Sequence, residues 1–183
     1  MDVVYDEHKL TELIIYLADR LAGDRAGGST KLNKVLFFAD FTHVRRHGRP
    51  ITGAEYQHLP FGPAPRRLLP IRSALIERGD ADLVEEKFLG RRQHRLIARR
   101  PAALSAFSDA ELATIDSVLE DLAGMTATQV STPSHEEAAW RHTEDGERIP
   151  YELALVPTEQ VVTPTAERVG AEIARRYQLS DVG

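Results

Sequence analysis

The sequence predicts a mainly α fold with a small β element: an α+β bundle of about six helices plus one β-hairpin. Three observations carry that reading. Apolar residues recur at helical spacing through most of the chain, and glycine, proline and Ser-x-x-Glu signals punctuate those stretches. One segment, 81–98, instead holds two short β-prone runs around Gly90. The 183 residues read as a single domain with a core over about 8–155, and a chain of this length buries about 70% of its unfolded surface. No disulfide or metal staple is needed.

The first helix is expected over 7–22, where Leu10, Leu13, Ile14, Leu17 and Leu21 form one apolar face before Gly23. Ser29 or Thr30 should cap the second, which turns Leu32, Val35, Leu36, Ala39 and Phe38 inward and stops at Gly48. An extended segment around Tyr56 follows, and Pro63 and Pro65 launch a third helix near 65–79, closed by Gly79. The hairpin comes next, with Arg91, Arg92 and Arg95 placed at its tip. Ser108 and Glu111 make a capping box for a fourth helix through Leu122. A short helix from Thr126 should stop before Pro133, and Ser134 with Glu137 should launch another that carries His135 and Trp140. Thr163 and Pro164 open a last helix over about 164–178. Helices one, two and four are expected to share the core.

Cysteine is absent, so a disulfide scaffold, Cys-ligated zinc and a thiol nucleophile are all excluded. No apolar run approaches the length of a membrane span, and no basic segment followed by an apolar run opens the chain. A cytoplasmic protein without a membrane partner is expected. The net charge of −5 hides a division: residues 1–100 carry 18 Lys and Arg against 13 Asp and Glu, and residues 101–183 carry 5 against 15. Opposed fields of this kind steer a charged partner or orient a homo-oligomer, although unevenly charged solvated helices give the same count.

Four short motifs stand in order: Lys31-Leu32-Asn33-Lys34-Val35, Gly48-Arg49-Pro50-Ile51, Tyr56 in its extended segment, and Gly62-Pro63. The set resembles the Panacea (SocA-like) antitoxin domain, whose members share a Lys-Leu-x-Lys-Leu helix, a G-x-P-I step, a Tyr-bearing segment and a Gly-Pro turn. Val35 departs from the family leucine. The second half extends the resemblance, with the capped helix Ser108–Leu122, the Ser131-Thr132 turn, His135 and Trp140. It covers about Leu10 to Tyr151. The resemblance implies the antitoxin of a toxin–antitoxin pair, which neutralises a cognate protein toxin by direct contact. Family members often carry a further N-terminal DNA-binding domain, and none is expected here.

Partner-binding candidates chosen by residue type and motif position are Lys31, Lys34, Tyr56, Phe61, Arg91, Arg92, His135 and Trp140. Plain core packing is the competing account for Tyr56, Phe61 and Trp140. Two other functions stay open: an adaptor that delivers its partner to protease machinery, and a winged-helix-like regulator that sets the basic hairpin on nucleic acid. Enzyme activity and cofactors are not expected. His43 and His47 have the i, i+4 spacing of zinc ligands, with Asp40 a turn earlier, but Arg45 and Arg46 would repel a dication. His135, Glu136, Glu137 and His142 offer an acid–base pair with no nucleophile beside it. The chain has no G-x-S-x-G elbow, and GDRAGGST lacks the P-loop lysine.

Overall fold

A computed structural model describes residues 1–156; the helix expected at 164–178 lies outside the described residues. Six helices appear among the described residues: α1 Glu7–Arg20, α2 Ser29–His47, α3 Leu68–Glu77, α4 Asp109–Asp121, α5 Ala127–Glu136 and α6 Ala138–Arg141. Three two-residue strands, β1 Tyr56–Gln57, β2 Ala64–Pro65 and β5 Arg148–Ile149, form an antiparallel sheet in the order β2-β1-β5. Tyr56 pairs with Pro65 on one side and Ile149 on the other. Strands β3 Ala81–Phe88 and β4 Arg91–Ala98 make a separate hairpin. The fold is mainly α with a small β element, as the sequence predicts.

Helix α2 runs through the middle, packed by α1, α4, α5, β2 and β4. A helix surrounded in this way buries residues on every face rather than one stripe. Val35, Leu36, Phe37, Ala39, Phe41 and Val44 are buried along it, and so are Lys31, Lys34, Asp40 and His43. The polar side chains on this helix therefore cannot all look to water, which sets the problem the rest of the structure solves. The rings of Phe37, Phe41, Tyr56 and Tyr151 meet beside it with centroids 4.2–6.1 Å apart. Burying each such ring contributes about 1.5–3 kcal/mol. Phe38, expected inward, is half-buried, and its neighbour Phe37 takes the deeper place.

Local signals mostly hold. Gly48 closes α2 in the left-handed region at φ 73°, and Ser108 and Glu111 form their capping box. The hairpin turns through Leu89 and Gly90, both with positive φ, the twist that matches a two-residue connection. Three expectations change. The N-cap of α2 is Gly28, because the Ser29 hydroxyl donates instead to the His94 carbonyl of the hairpin at 2.9 Å. Helix α3 starts at Leu68, with Pro65 spent in β2.

Helix α5 does not stop before Pro133 but continues through it to Glu136. Its own capping box, Thr126 with Gln129, starts it firmly. Val130 and Ser134 then dock it against the interior. Ser134 consequently caps nothing, since its hydroxyl donates back to the Ser131 carbonyl at 2.8 Å. His135 belongs to the end of α5, and only Trp140 lies on the small helix α6.

Candidate functional site

Two polar centres hang from α2. The first is Asp40, fully buried. Its Oδ1 accepts from the backbone N–H groups of Ile51 at 2.8 Å and Thr52 at 2.7 Å. Its Oδ2 lies 2.5 Å from the Thr52 hydroxyl, 2.9 Å from the Tyr56 hydroxyl and 3.2 Å from that of Tyr151. Burial pushes the Asp40 carboxyl upward, against the pull of these donors. The Gly-x-Pro-Ile step, the Tyr56 strand and the closing turn at Tyr151 are thus gathered on one carboxylate. Tyr56, proposed as a partner contact, is fully buried here and points its hydroxyl at Asp40 and the Leu36 carbonyl. Its place is the scaffold.

Lys31 is also inside. Its ammonium donates to Asp24 at 2.6 Å and to the Met125 carbonyl at 3.0 Å, tying the α1–α2 loop to the end of α4. Arg95, expected at the hairpin tip, is buried midway along its strand. It donates to Glu86 and to the carbonyls of Leu21, Asp24 and Arg25 at 2.7–3.1 Å, which bolts the hairpin to the same loop. The register explains this: Arg95 sits opposite Val84, whereas Arg91 and Arg92 face Phe88 and Lys87 next to the turn. Arg91 and Arg92 are exposed there, and Arg92 reaches Glu85 only at 3.9 Å.

The second centre is Lys34. Its side chain is 1% exposed, yet among the described residues it meets no carboxylate. Its ammonium donates to the carbonyl of Phe61. Burial alone pushes its pKa down to about 7. The turn above it is Pro60–Pro63, and Gly62 lies there at φ 91°. A Cβ on Gly62 would stand 2.1 Å from the Lys34 Nζ and 3.0 Å from the Nε2 of His135, so both nitrogens press on the face that glycine leaves open. The Trp140 ring is stacked between His135 and His58, with centroids 4.2 and 4.1 Å away. His58 Nδ1 lies 3.1 Å from the Thr143 hydroxyl. Neither the Nε2 of His135 nor the Nε1 of Trp140, both buried, has a partner among the described residues. Burial, Lys34 and His58 together lower the His135 pKa.

Phe61 crowns this centre. Its carbonyl is held from below by Lys34 while its ring is 82% exposed. The structure therefore brings Lys34, Phe61, His135 and Trp140 together, and leaves Lys31, Tyr56, Arg91 and Arg92 elsewhere. The hairpin packs on α1, α2 and α3, whereas the Phe61 turn rests on α2, α5 and α6. Asp40 and His58 were missed as organising residues. An aspartate inside the run FFADF was the available signal for the first.

The two histidine clusters do not assemble. His43 Nδ1 lies 3.0 Å from the Thr114 hydroxyl, its ring is tilted against that of His47, and Asp40 faces away into its own donors. Burial lowers the His43 pKa to about 4. Glu137 pairs with Arg45, while Glu136 and His142 are exposed. No group of three His, Asp or Glu side chains among the described residues is placed to hold a metal. No helix among them is long and apolar enough to cross a membrane.

Fold and site define a helical domain built around a buried central helix and presenting the exposed aromatic turn of Phe61. The family model for the antitoxin SocA-like Panacea domain matches residues 32–141, and the chain belongs to that family. The matched span runs from the first turn of α2 to the end of α6 and contains Lys34 and Asp40, with Tyr151 beyond it. No curated protein and no solved structure matches the chain.

Proposed function

We propose that this protein is the antitoxin of a toxin–antitoxin pair and neutralises its toxin by direct binding through the Phe61 turn. Membership of the SocA-like antitoxin family supplies the class. The observation that carries the binding surface is Phe61: a large apolar ring, 82% exposed, on a short turn whose backbone is fixed by a buried lysine. Binding energy concentrates in such residues when the side chain is aromatic and its backbone is already ordered, because little entropy is lost on docking. Trp140 and His135 stand beneath the same turn as its support and are half-buried. Arg91 and Arg92 offer a second, cationic contact on the hairpin.

Co-expression with the product of the neighbouring reading frame tests this reading. Rescue of growth and a stable complex are expected, and Phe61→Ala should lose both while remaining folded. A harmless neighbour, no complex, or a Phe61→Ala variant that rescues like the wild type would contradict it. An adaptor would use the same docking and add delivery. Loss of the partner that requires both this chain and a protease is the outcome that would select the adaptor.

A further inference from the structure

We propose that the Lys34–His135–Trp140 cluster under the Phe61 turn is a receiving site for one carboxylate, supplied in the complex by an acidic side chain or the C-terminus of the docked partner. The source of that carboxylate rests on the docking reading above; the site itself does not.

The buried cations make the case by contrast. Lys31, Lys34 and Arg95 are the lysine and arginine side chains buried among the described residues. Lys31 has Asp24 and Arg95 has Glu86. Among the described residues Lys34 has a neutral carbonyl alone. Buried ammonium groups are costly unless an anion faces them. Around this one the charges that could compensate are already committed or of the same sign: Glu137 belongs to Arg45, and His58 and His135 are bases.

Three nitrogens in the cluster have unused hydrogen-bonding capacity, the imidazole of His135 donating from Nε2 in the tautomer protonated there. The Lys34 ammonium carries three protons and spends one on the Phe61 carbonyl. The His135 Nε2 and the Trp140 Nε1 spend none, although both are buried. Native interiors rarely leave such groups unpaired, and the exceptions mark sites where something else binds. Lys34 Nζ and His135 Nε2 also press on the same point of Gly62, so one small acceptor can reach both.

The chemistry selects a carboxylate over a phosphate. Among the described residues no guanidinium joins the cluster, since Arg45 is held by Glu137 and by the Ala154 carbonyl at 3.0 Å. The bidentate fork that favours phosphate is therefore missing. A carboxylate entering beside Phe61 would take a second Nζ proton while the Phe61 carbonyl keeps the first. A charged acceptor gives the stronger bond, and its charge returns the lysine and the histidine towards their ordinary pKa values.

Trp140 is the single tryptophan of the chain and is stacked on His135, so its emission reports the site directly. The test titrates the full chain, just below neutral pH, with sodium acetate and with N-acetylaspartate, against sodium chloride at equal ionic strength. A saturable change with both carboxylates and none with chloride is expected. The change should weaken at least about tenfold in Lys34→Met and in His135→Phe, the loss expected when one charge-assisted bond goes. His135→Phe keeps the stacked ring and carries the test should Lys34→Met fail to fold. No saturable change, an equal response to chloride, or wild-type binding by a folded variant would overturn the proposal. Carboxylate binding without toxin binding would sink the docking reading and leave the site standing. Toxin binding with no carboxylate response would do the reverse.

Discussion

Asp40 and Lys34 lie two turns apart on the same helix, both buried, and they are treated in opposite ways. Five donors surround Asp40, drawn from the 51–52 step, the Tyr56 strand and the Tyr151 turn. Lys34 has a single carbonyl, and the polar atoms around it are left unpaired. A buried charge that is fully answered by the chain's own groups fixes a fold. One that is left unanswered stores a cost, which a ligand or partner can relieve. The first region ties the fold together, and the second is the one proposed to bind, although both contain residues of the same family motifs.

The largest expected effect breaks that comparison most sharply. Asp40→Ala strands the Ile51 and Thr52 N–H groups and the Thr52 hydroxyl, while Tyr56 and Tyr151 keep the Leu36 and Ala54 carbonyls, and should lower the unfolding free energy by about 3–5 kcal/mol. Lys34→Met removes a buried charge without a counter-ion, and should leave stability unchanged or raise it by about 1 kcal/mol at neutral pH. Urea denaturation of the two variants measures both. Equal losses would erase the distinction between the centres.

The pH dependence comes next. Lys34 titrates at about 7 in the folded chain against 10.5 for an ordinary lysine. Between those values the unfolded chain binds the extra proton, so stability should climb as pH rises through this window. Its slope approaches about 1.4 kcal/mol per pH unit. Below about pH 7 both states are protonated and the cost is fully present. Melts of the wild type and Lys34→Met across neutral to alkaline pH should diverge in slope, and parallel curves would contradict the burial of a cation.

Gly62→Ala is a smaller perturbation at the same place. Its positive φ strains any side chain, and its Cβ would occupy the position of the Lys34 Nζ. About 1–2 kcal/mol should be lost. The ammonium should be displaced from the Phe61 carbonyl, and the alkaline rise in stability should shrink with it. An alanine variant that kept the full rise would show that the lysine does not depend on the glycine.

Much of this fold could be read from the sequence because its signals are local. Gly48, the Ser108–Glu111 box and the Leu89-Gly90 turn act on their immediate neighbours, and each ends or starts an element where expected. The failures are tertiary. Pro133 is a strong stop in isolation, but α5 is docked on both sides of it. Arg95 was placed with Arg91 and Arg92 by proximity in sequence, when counting back from the hairpin turn puts it four positions down the strand. The site was half legible for a similar reason. Motif membership picked out Lys34, His135 and Trp140, but a helix buried on every side gives no period from which to tell Lys34, under a turn, from Lys31, inside a salt bridge. Asp40 was paired with His43 by spacing, yet its oxygens point to residues eleven to sixteen positions further on and to Tyr151.

If the Phe61 turn is the binding face, its ring serves docking and adds nothing to folding. Calorimetric titration of the purified full chain and of Phe61→Ala with the cognate toxin tests it most directly. At least about thirtyfold weaker binding is expected, the loss of one aromatic anchor, with unfolding free energy unchanged within about 0.5 kcal/mol. Affinity within a few-fold of the wild type, or a loss of binding matched by a loss of stability, would contradict it.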